Sequence, residues 1–173
     1  MKIGFCGAAG VGKTVLVDKF LEDHPEYNEP ENISRLFNET FKNFGINEKG
    51  TASSQALITG FMVYSVMKED NFIHSRTMCD TYAYARLSNM TTEECNDIEK
   101  LYEGWDNLYD FIFYIPIEFK MEEDGVRSTD EDYRKLSGDL MLKYLNENNI
   151  KYYTLTGTIE ERYEEIKRIT NAS

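Results

Sequence analysis

Eight residues near the start of the chain, Gly7-Ala8-Ala9-Gly10-Val11-Gly12-Lys13-Thr14, constrain its fold more than any other stretch. They match G-x-x-x-x-G-K-[ST] in full. An apolar run, Lys2-Ile3-Gly4-Phe5-Cys6, precedes them, and a helical pattern from about Lys13 to Glu22 follows. The glycines let the backbone turn tightly and aim several N–H groups into one concavity, which suits phosphate oxygens. Lys13 adds a point charge near the terminal phosphates, the Thr14 hydroxyl is a ligand for Mg²⁺, and the helix dipole favours an anion at that end. Gly7, Ala9, Gly10, Val11, Gly12, Lys13 and Thr14 are therefore predicted to hold the polyphosphate of a nucleoside triphosphate. A glycine-rich turn kept for packing alone is the weaker reading, because motif and context are both satisfied.

Strand and helix signals alternate along the rest of the chain, which predicts an α/β fold with a parallel sheet between helical layers. Tyr27-Asn28 reads as a weak second strand hemmed by Pro25 and Pro30. Ile33, Leu36, Phe37, Phe41 and Phe44 recur at helical spacing, with Gly45 as the stop. Ile46 to Thr51 reads as a loop, and Ser53 or Ser54 is expected to cap a helix running to about Glu69. Phe72 to Ser75 is the third predicted strand. Thr91 and Glu94 form a capping-box pattern for a helix carrying Ile98, Leu101, Tyr102, Trp105 and Leu108. Phe111 to Ile115 is a continuous apolar strand, as expected where both sheet faces are covered. Lys120 to Thr129 is a charged loop. Leu136, Leu140, Tyr144 and Leu145 mark another helix, starting near Thr129 or Asp130. Lys151 to Leu155 is the last strand, and Thr158 with Glu161 caps the final helix.

Composition narrows the partners. Among 173 residues, 31 are Asp or Glu and 19 are Lys or Arg, a net charge of −12 that repels duplex nucleic acid and anionic lipid. Three widely spaced cysteines, Cys6, Cys79 and Cys95, make neither a disulfide framework nor a CxxC metal pair, which fits a reducing compartment. No apolar run approaches the roughly 18 residues of a membrane span, and the first residues lack a signal-peptide layout. A cytoplasmic protein is expected. A homodimer is compatible with the sequence but not demanded by it.

The absence of Asn-Lys-x-Asp and Asp-x-x-Gly patterns argues against a GTPase. A chain of 173 residues also leaves little room for the helical lid domain of a mechanical ATPase. A small kinase needs an acceptor pocket, a residue set near the third strand and a cationic lid, and the chain offers a candidate for each. The lid candidate spans about 118–134 and holds Arg127 and Arg134. An arginine carried by a closing loop stabilises the charge that spreads over a phosphoryl group in transfer; the alternative is a solvated loop whose arginines pair with neighbouring carboxylates. Near the third strand, Asp80 is a candidate Mg²⁺ ligand, with a helix N-cap as the alternative, and Arg76 could clamp an acceptor phosphate. In Glu29-Pro30-Glu31-Asn32-Ile33-Ser34-Arg35, Glu31 is a candidate general base and Arg35 a phosphate ligand; acidic enrichment at a helix start is the alternative. Gln55 is a candidate reader of an acceptor base.

These residues resemble a family of small P-loop kinases that includes the kinase domain of bifunctional nicotinamide-riboside kinases, together with phage-encoded relatives described as AAA-type ATPases or nucleotide kinases. The likeness rests on Gly7 to Thr14, Glu31 with Arg35, Ser75-Arg76 with Asp80 and Tyr84, Asp124-Gly125-Val126-Arg127, and Leu155-Thr156-Gly157 before Glu161-Arg162. It implies a three-layer P-loop NTPase fold, adenylate-kinase-like with a short lid, as one domain over residues 1–173. The resemblance further implies five parallel strands, ATP with Mg²⁺ as donor, Arg127 on the lid, and adenine near Gly157. Many relatives have Asp-Arg where this chain has Ser75-Arg76, so no role is carried to Ser75. A nucleoside hydroxyl must lose a proton and wants a base such as Glu31; a nucleoside monophosphate is already anionic and wants arginines such as Arg35 and Arg76. The sequence leans toward the monophosphate. Outside enzymes, the alternative is a nucleotide-gated interaction protein with slow ATP hydrolysis.

Overall fold

In the computed structural model the described residues are 1–41, 44–119 and 131–172, with the side chains of Arg35, Asn38 and Asp106 excepted. In chain order the elements are β1 (Lys2–Cys6), α1 (Lys13–Asp23), α2 (Ile33–Thr40), α3 (Ala52–Lys68), β2 (Phe72–His74), α4 (Met78–Arg86), α5 (Thr92–Tyr102), β3 (Phe111–Tyr114), α6 (Glu131–Glu147), β4 (Tyr153–Thr154) and α7 (Ile159–Thr170). Short 3₁₀ turns occur at Asn47–Lys49 and Trp105–Leu108. The strands form one parallel sheet in the order β2-β1-β3-β4, with Gly4 opposite His74 on one side and Ile112 on the other.

Alternation along each strand divides the core into two layers. Cys6, Phe72, Ile112 and Tyr114 pack toward α3, α4, α5 and α6 with Ile58, Met62, Met78 and Met141. Ile3, Phe5, Ile73 and Phe113 face the other way, against Leu16 and Phe20 of α1 and Tyr163 and Ile166 of α7. Each such buried side chain contributes about 1.5–3 kcal/mol of transfer free energy. With both faces of the sheet covered, the architecture is the expected three-layer P-loop fold.

The expected five strands are four among the described residues. Asn28 makes a single parallel bridge with Phe72, in which its N–H donates to Asn71 O at 3.3 Å and its carbonyl accepts from the Ile73 N–H at 3.0 Å. Pro30, two residues on, has no N–H to extend a ladder. Other boundaries shift for local reasons. Thr51 caps α3, not Ser53 or Ser54; Ser54 is the reciprocal partner, its N–H donating to Thr51 Oγ1 at 3.2 Å. The helix predicted through Leu108 breaks after Tyr102, since Gly104 takes a positive φ of 85° and the chain re-enters as the Trp105–Leu108 turn. α2 ends at Thr40, while Phe44 still packs on Phe37 with ring centroids 5.0 Å apart.

Candidate functional site

Beyond Cys6 the chain leaves the sheet and turns through residues 7–12 into α1. Gly7 has φ +145°, and a Cβ there would collide with the Ile115 carbonyl at the end of β3. Gly12, the cap of α1, has φ +95°. Only glycine adopts both without strain, so the loop is compact and lies at the carboxyl ends of β1 and β3. Parallel α/β sheets place ligands at that edge. The Lys13 ammonium, at the first position of α1, donates to the carbonyls of Gly7 at 2.5 Å and Ala8 at 2.9 Å.

The loop forms one wall of a cavity of about 700 Å³, within the size range of small-molecule sites. Ala9, Gly10, Val11, Gly12, Lys13 and Thr14 line it. Glu29, Glu31, Asn32 and Ser34, from the stretch between the Asn28 bridge and the first turn of α2, line it too. Gln55 enters from α3, buried at 2% exposure. Arg76, just past β2, lies over the Tyr84 ring at 5.6 Å and donates to Ser34 Oγ at 3.4 Å.

Asp80 also faces this cavity, and it caps α4 from the third helical position and not as the N-cap itself: Thr77 is the N-cap, and the two form a capping box. The Thr77 N–H donates to Asp80 Oδ2 at 3.0 Å. Burial pushes the Asp80 carboxyl upward, while Lys13, Arg76 and two backbone N–H groups pull it back. Thr14 and Asp80 offer hard oxygen donors on the same cavity. Among the described residues no group of three or more His, Cys, Asp or Glu is assembled for a metal. Such a set fits Mg²⁺, which keeps waters and takes oxygens from substrate phosphates in place of an all-protein cage.

Arg134 differs from the expectation of a lid residue. It lies in the first turn of α6 at 2% exposure, its Nε donates to Ala9 O at 2.8 Å, and its Nη2 donates to Phe119 O at 3.0 Å. Gly157 is not among the cavity-lining residues. It sits in the turn before α7 with φ +89°, and its N–H donates to Glu118 Oε2 at 2.9 Å. Arg127, with residues 120–130 of the expected lid, and the Arg35 side chain lie outside the described residues.

The structure thus gathers Ala9 to Thr14, Glu31, Gln55, Arg76, Asp80 and Arg134 around one space. Sequence reasoning gave no role to Glu118 or Arg162, which pair at 2.6 Å behind the loop. A signal was present: Arg162 falls at helical spacing within the apolar stripe Ile159, Tyr163, Ile166, where a solvated arginine has no place.

Solved structures share this architecture. Deoxyadenosine kinase from M. mycoides with the products dCMP and dCDP superposes with a TM-score of 0.72 over 99% of both chains at 13% identity. NadR in complex with NAD and AMP-PNP gives 0.73 at 17% identity, over 98% of this chain and 48% of the NadR chain. Thymidylate kinase from Candida albicans gives 0.68 at 14% identity, over 98% of this chain and 90% of that one. At these identities the likeness shows a common fold. No curated protein matches the sequence. Among the described residues, no helix is long and apolar enough to cross a membrane. A family model described as an AAA domain matches residues 2–162, nearly the whole chain, and the protein belongs to that family.

Proposed function

We propose that this chain is an ATP-dependent phosphotransferase acting on a small nucleotide acceptor, with a nucleoside monophosphate as the leading class. The observation that carries the reading is the single cavity joining residues 9–14 to Glu31, Gln55, Arg76 and Tyr84. A triphosphate gripped at one end and an acceptor held at the other would meet without crossing solvent. Three neighbours of the same fold are a deoxyadenosine kinase, a protein solved with NAD and AMP-PNP, and a thymidylate kinase, which supports the same class.

In the reaction, an acceptor phosphate oxygen forms a bond to the γ-phosphorus as the bond to the β–γ bridging oxygen breaks, and ADP leaves. The N–H groups of the loop and the Lys13 ammonium would hold the β- and γ-phosphates in line. Arg76 would clamp the acceptor phosphate, stiffened by Tyr84 and Ser34. Gln55 would read the acceptor base. Thr14 and Asp80 would hold Mg²⁺, which would neutralise charge at the phosphate oxygens. Arg127 on the lid is proposed to stabilise transition-state charge, and adenine to rest near Gly157.

A nucleoside hydroxyl is the second reading, favoured by Glu29 and Glu31 on the acceptor wall, where either carboxylate could accept the hydroxyl proton. Transfer of labelled γ-phosphate from ATP to a panel of nucleosides and monophosphates tests both readings. We expect a labelled diphosphate, and loss of turnover in Lys13→Ala. A labelled monophosphate would establish the second reading. Slow hydrolysis with no acceptor used across the panel would replace both with a nucleotide-gated binding protein.

A further inference from the structure

A loop that turns its N–H groups inward must turn carbonyls outward, and buried carbonyls need donors. Here two such carbonyls are met by guanidinium groups. Arg134 Nε donates to Ala9 O at 2.8 Å from the α6 side, and Arg162 Nη1 donates to Val11 O at 2.7 Å from the α7 side. Both arginines are 2% exposed. The peptide carrying Ala9 O also carries the Gly10 N–H, and the peptide carrying Val11 O also carries the Gly12 N–H. A cation on the oxygen of a peptide draws electron density from its nitrogen and strengthens the N–H as a donor.

Arg162 is the informative member of the pair. Unlike Arg134, it is not among the cavity-lining residues, and it stands behind the loop. Its Nη2 pairs with Glu118 Oε2 at 2.6 Å, and the same oxygen accepts the Gly157 N–H at 2.9 Å. α7 is packed hard against this point: a Cβ on Gly12 would lie 2.9 Å from Ile159 Cδ1 and 3.6 Å from Arg162 Nη1. The guanidinium is therefore locked between Glu118 and the loop, with little freedom to leave Val11.

We propose that Arg162 is a positioning residue for the triphosphate: without touching the nucleotide, it orients and polarises the Val11–Gly12 peptide, and Glu118 holds it in register. The inference rests on the reading of residues 7–14 as the triphosphate site. Its consequence is a dependence of polyphosphate affinity on a side chain outside the cavity. Affinity for the acceptor does not share that dependence.

Inorganic tripolyphosphate is the probe, because it has no base and so reports on the loop independently of the Gly157 turn. Removing Arg162 alone would leave the Glu118 carboxylate without its cation, so the test uses the double variant Arg162→Met with Glu118→Gln, and Arg162→Lys as a second route that keeps the charge. In the double variant, verified as folded by its melting transition, tripolyphosphate binding is expected to weaken about tenfold or more. In turnover, KM for ATP rises by a similar factor while kcat and the acceptor KM move less than about threefold. Arg162→Lys keeps a cation but loses the two-pronged geometry, and is expected to fall between wild type and the double variant. Unchanged affinity in either folded variant overturns the proposal, as does an equal loss in kcat with KM intact. Lys13→Ala separates the two levels. If it abolishes tripolyphosphate binding while the Arg162 variants retain it, only the role of Arg162 falls. If Lys13→Ala also binds normally, the triphosphate site itself is wrong.

Discussion

Arg76 lines the cavity with its guanidinium over the Tyr84 ring and Nη1 donating to Ser34 Oγ. If it clamps a phosphate, Arg76→Ala raises the monophosphate KM by about tenfold to a hundredfold, the loss of a charge-assisted bond, and leaves the KM for ATP nearly unchanged. Steady-state kinetics with each substrate varied in turn would check this, and equal effects on both KM values would contradict it. His74 makes a different prediction. It is fully buried in β2, its Nδ1 has no hydrogen-bond partner among the described residues, and burial, reinforced by Arg76, lowers its pKa from 6.5 to about 3. Between those values the unfolded chain binds a proton that the native chain refuses. Stability therefore rises with pH across that window and is lost on acidification, by up to about 1.4 kcal/mol per pH unit. Asp80, whose carboxyl is pushed upward, works in the opposite sense over its own range. Comparing denaturant midpoints of wild type and His74→Phe at pH 7 and pH 4 isolates the histidine: the variant should lose less stability on acidification, and parallel losses would rule the assignment out.

At the scale of elements, helix caps did much of the placing. Thr91 with Glu94 and Thr158 with Glu161 form the reciprocal boxes read from the sequence, with N-cap N–H to Glu Oε2 distances of 2.8 Å in each. The start of α3 was misjudged because Thr51, Ser53 and Ser54 are all capable caps; the box pairs Thr51 with Ser54, a spacing of three, and local chemistry does not rank the candidates further. α3 also holds a glycine without an internal reason. Gly60 sits mid-helix and exposed, and nothing lies within 4 Å of where a Cβ would stand. Gly60→Ala is expected to stabilise the fold by about 1 kcal/mol and to raise Tm by about 2–4 °C, measured by calorimetry. A fall in Tm would mean the helix is held by something that alanine disturbs.

For the whole molecule, a charge of −12 on 173 residues is a self-repelling load. Salt screens it, so Tm should climb as ionic strength rises from about 0.01 M to about 0.15 M, where the Debye length shortens from ~30 Å to ~8 Å. A flat or falling Tm over that range would show the repulsion to be offset locally by ion pairs such as Arg162–Glu118 and Arg86–Glu99. The cavity does not share that acidic excess: Lys13, Arg76 and Arg134 line it together with Glu29, Glu31 and Asp80, three cations to three carboxylates.

What the sequence by itself determined is what short-range chemistry encodes. The loop of residues 7–14, the continuous apolar run that makes β3 apolar on both faces, and two of the helix caps each depend on residues within about a turn of one another. That Asn28 makes only an isolated bridge, leaving four strands among the described residues, was nearly legible too, since Pro30 sits two residues past it. Tertiary structure alone decided where the charged side chains spend their hydrogen bonds. Arg134 reaches a carbonyl 125 positions away and Arg162 one 151 positions away. Which of several arginines meets the loop follows from how α6 and α7 pack across the sheet, because a guanidinium is committed only when burial removes water as its competing partner.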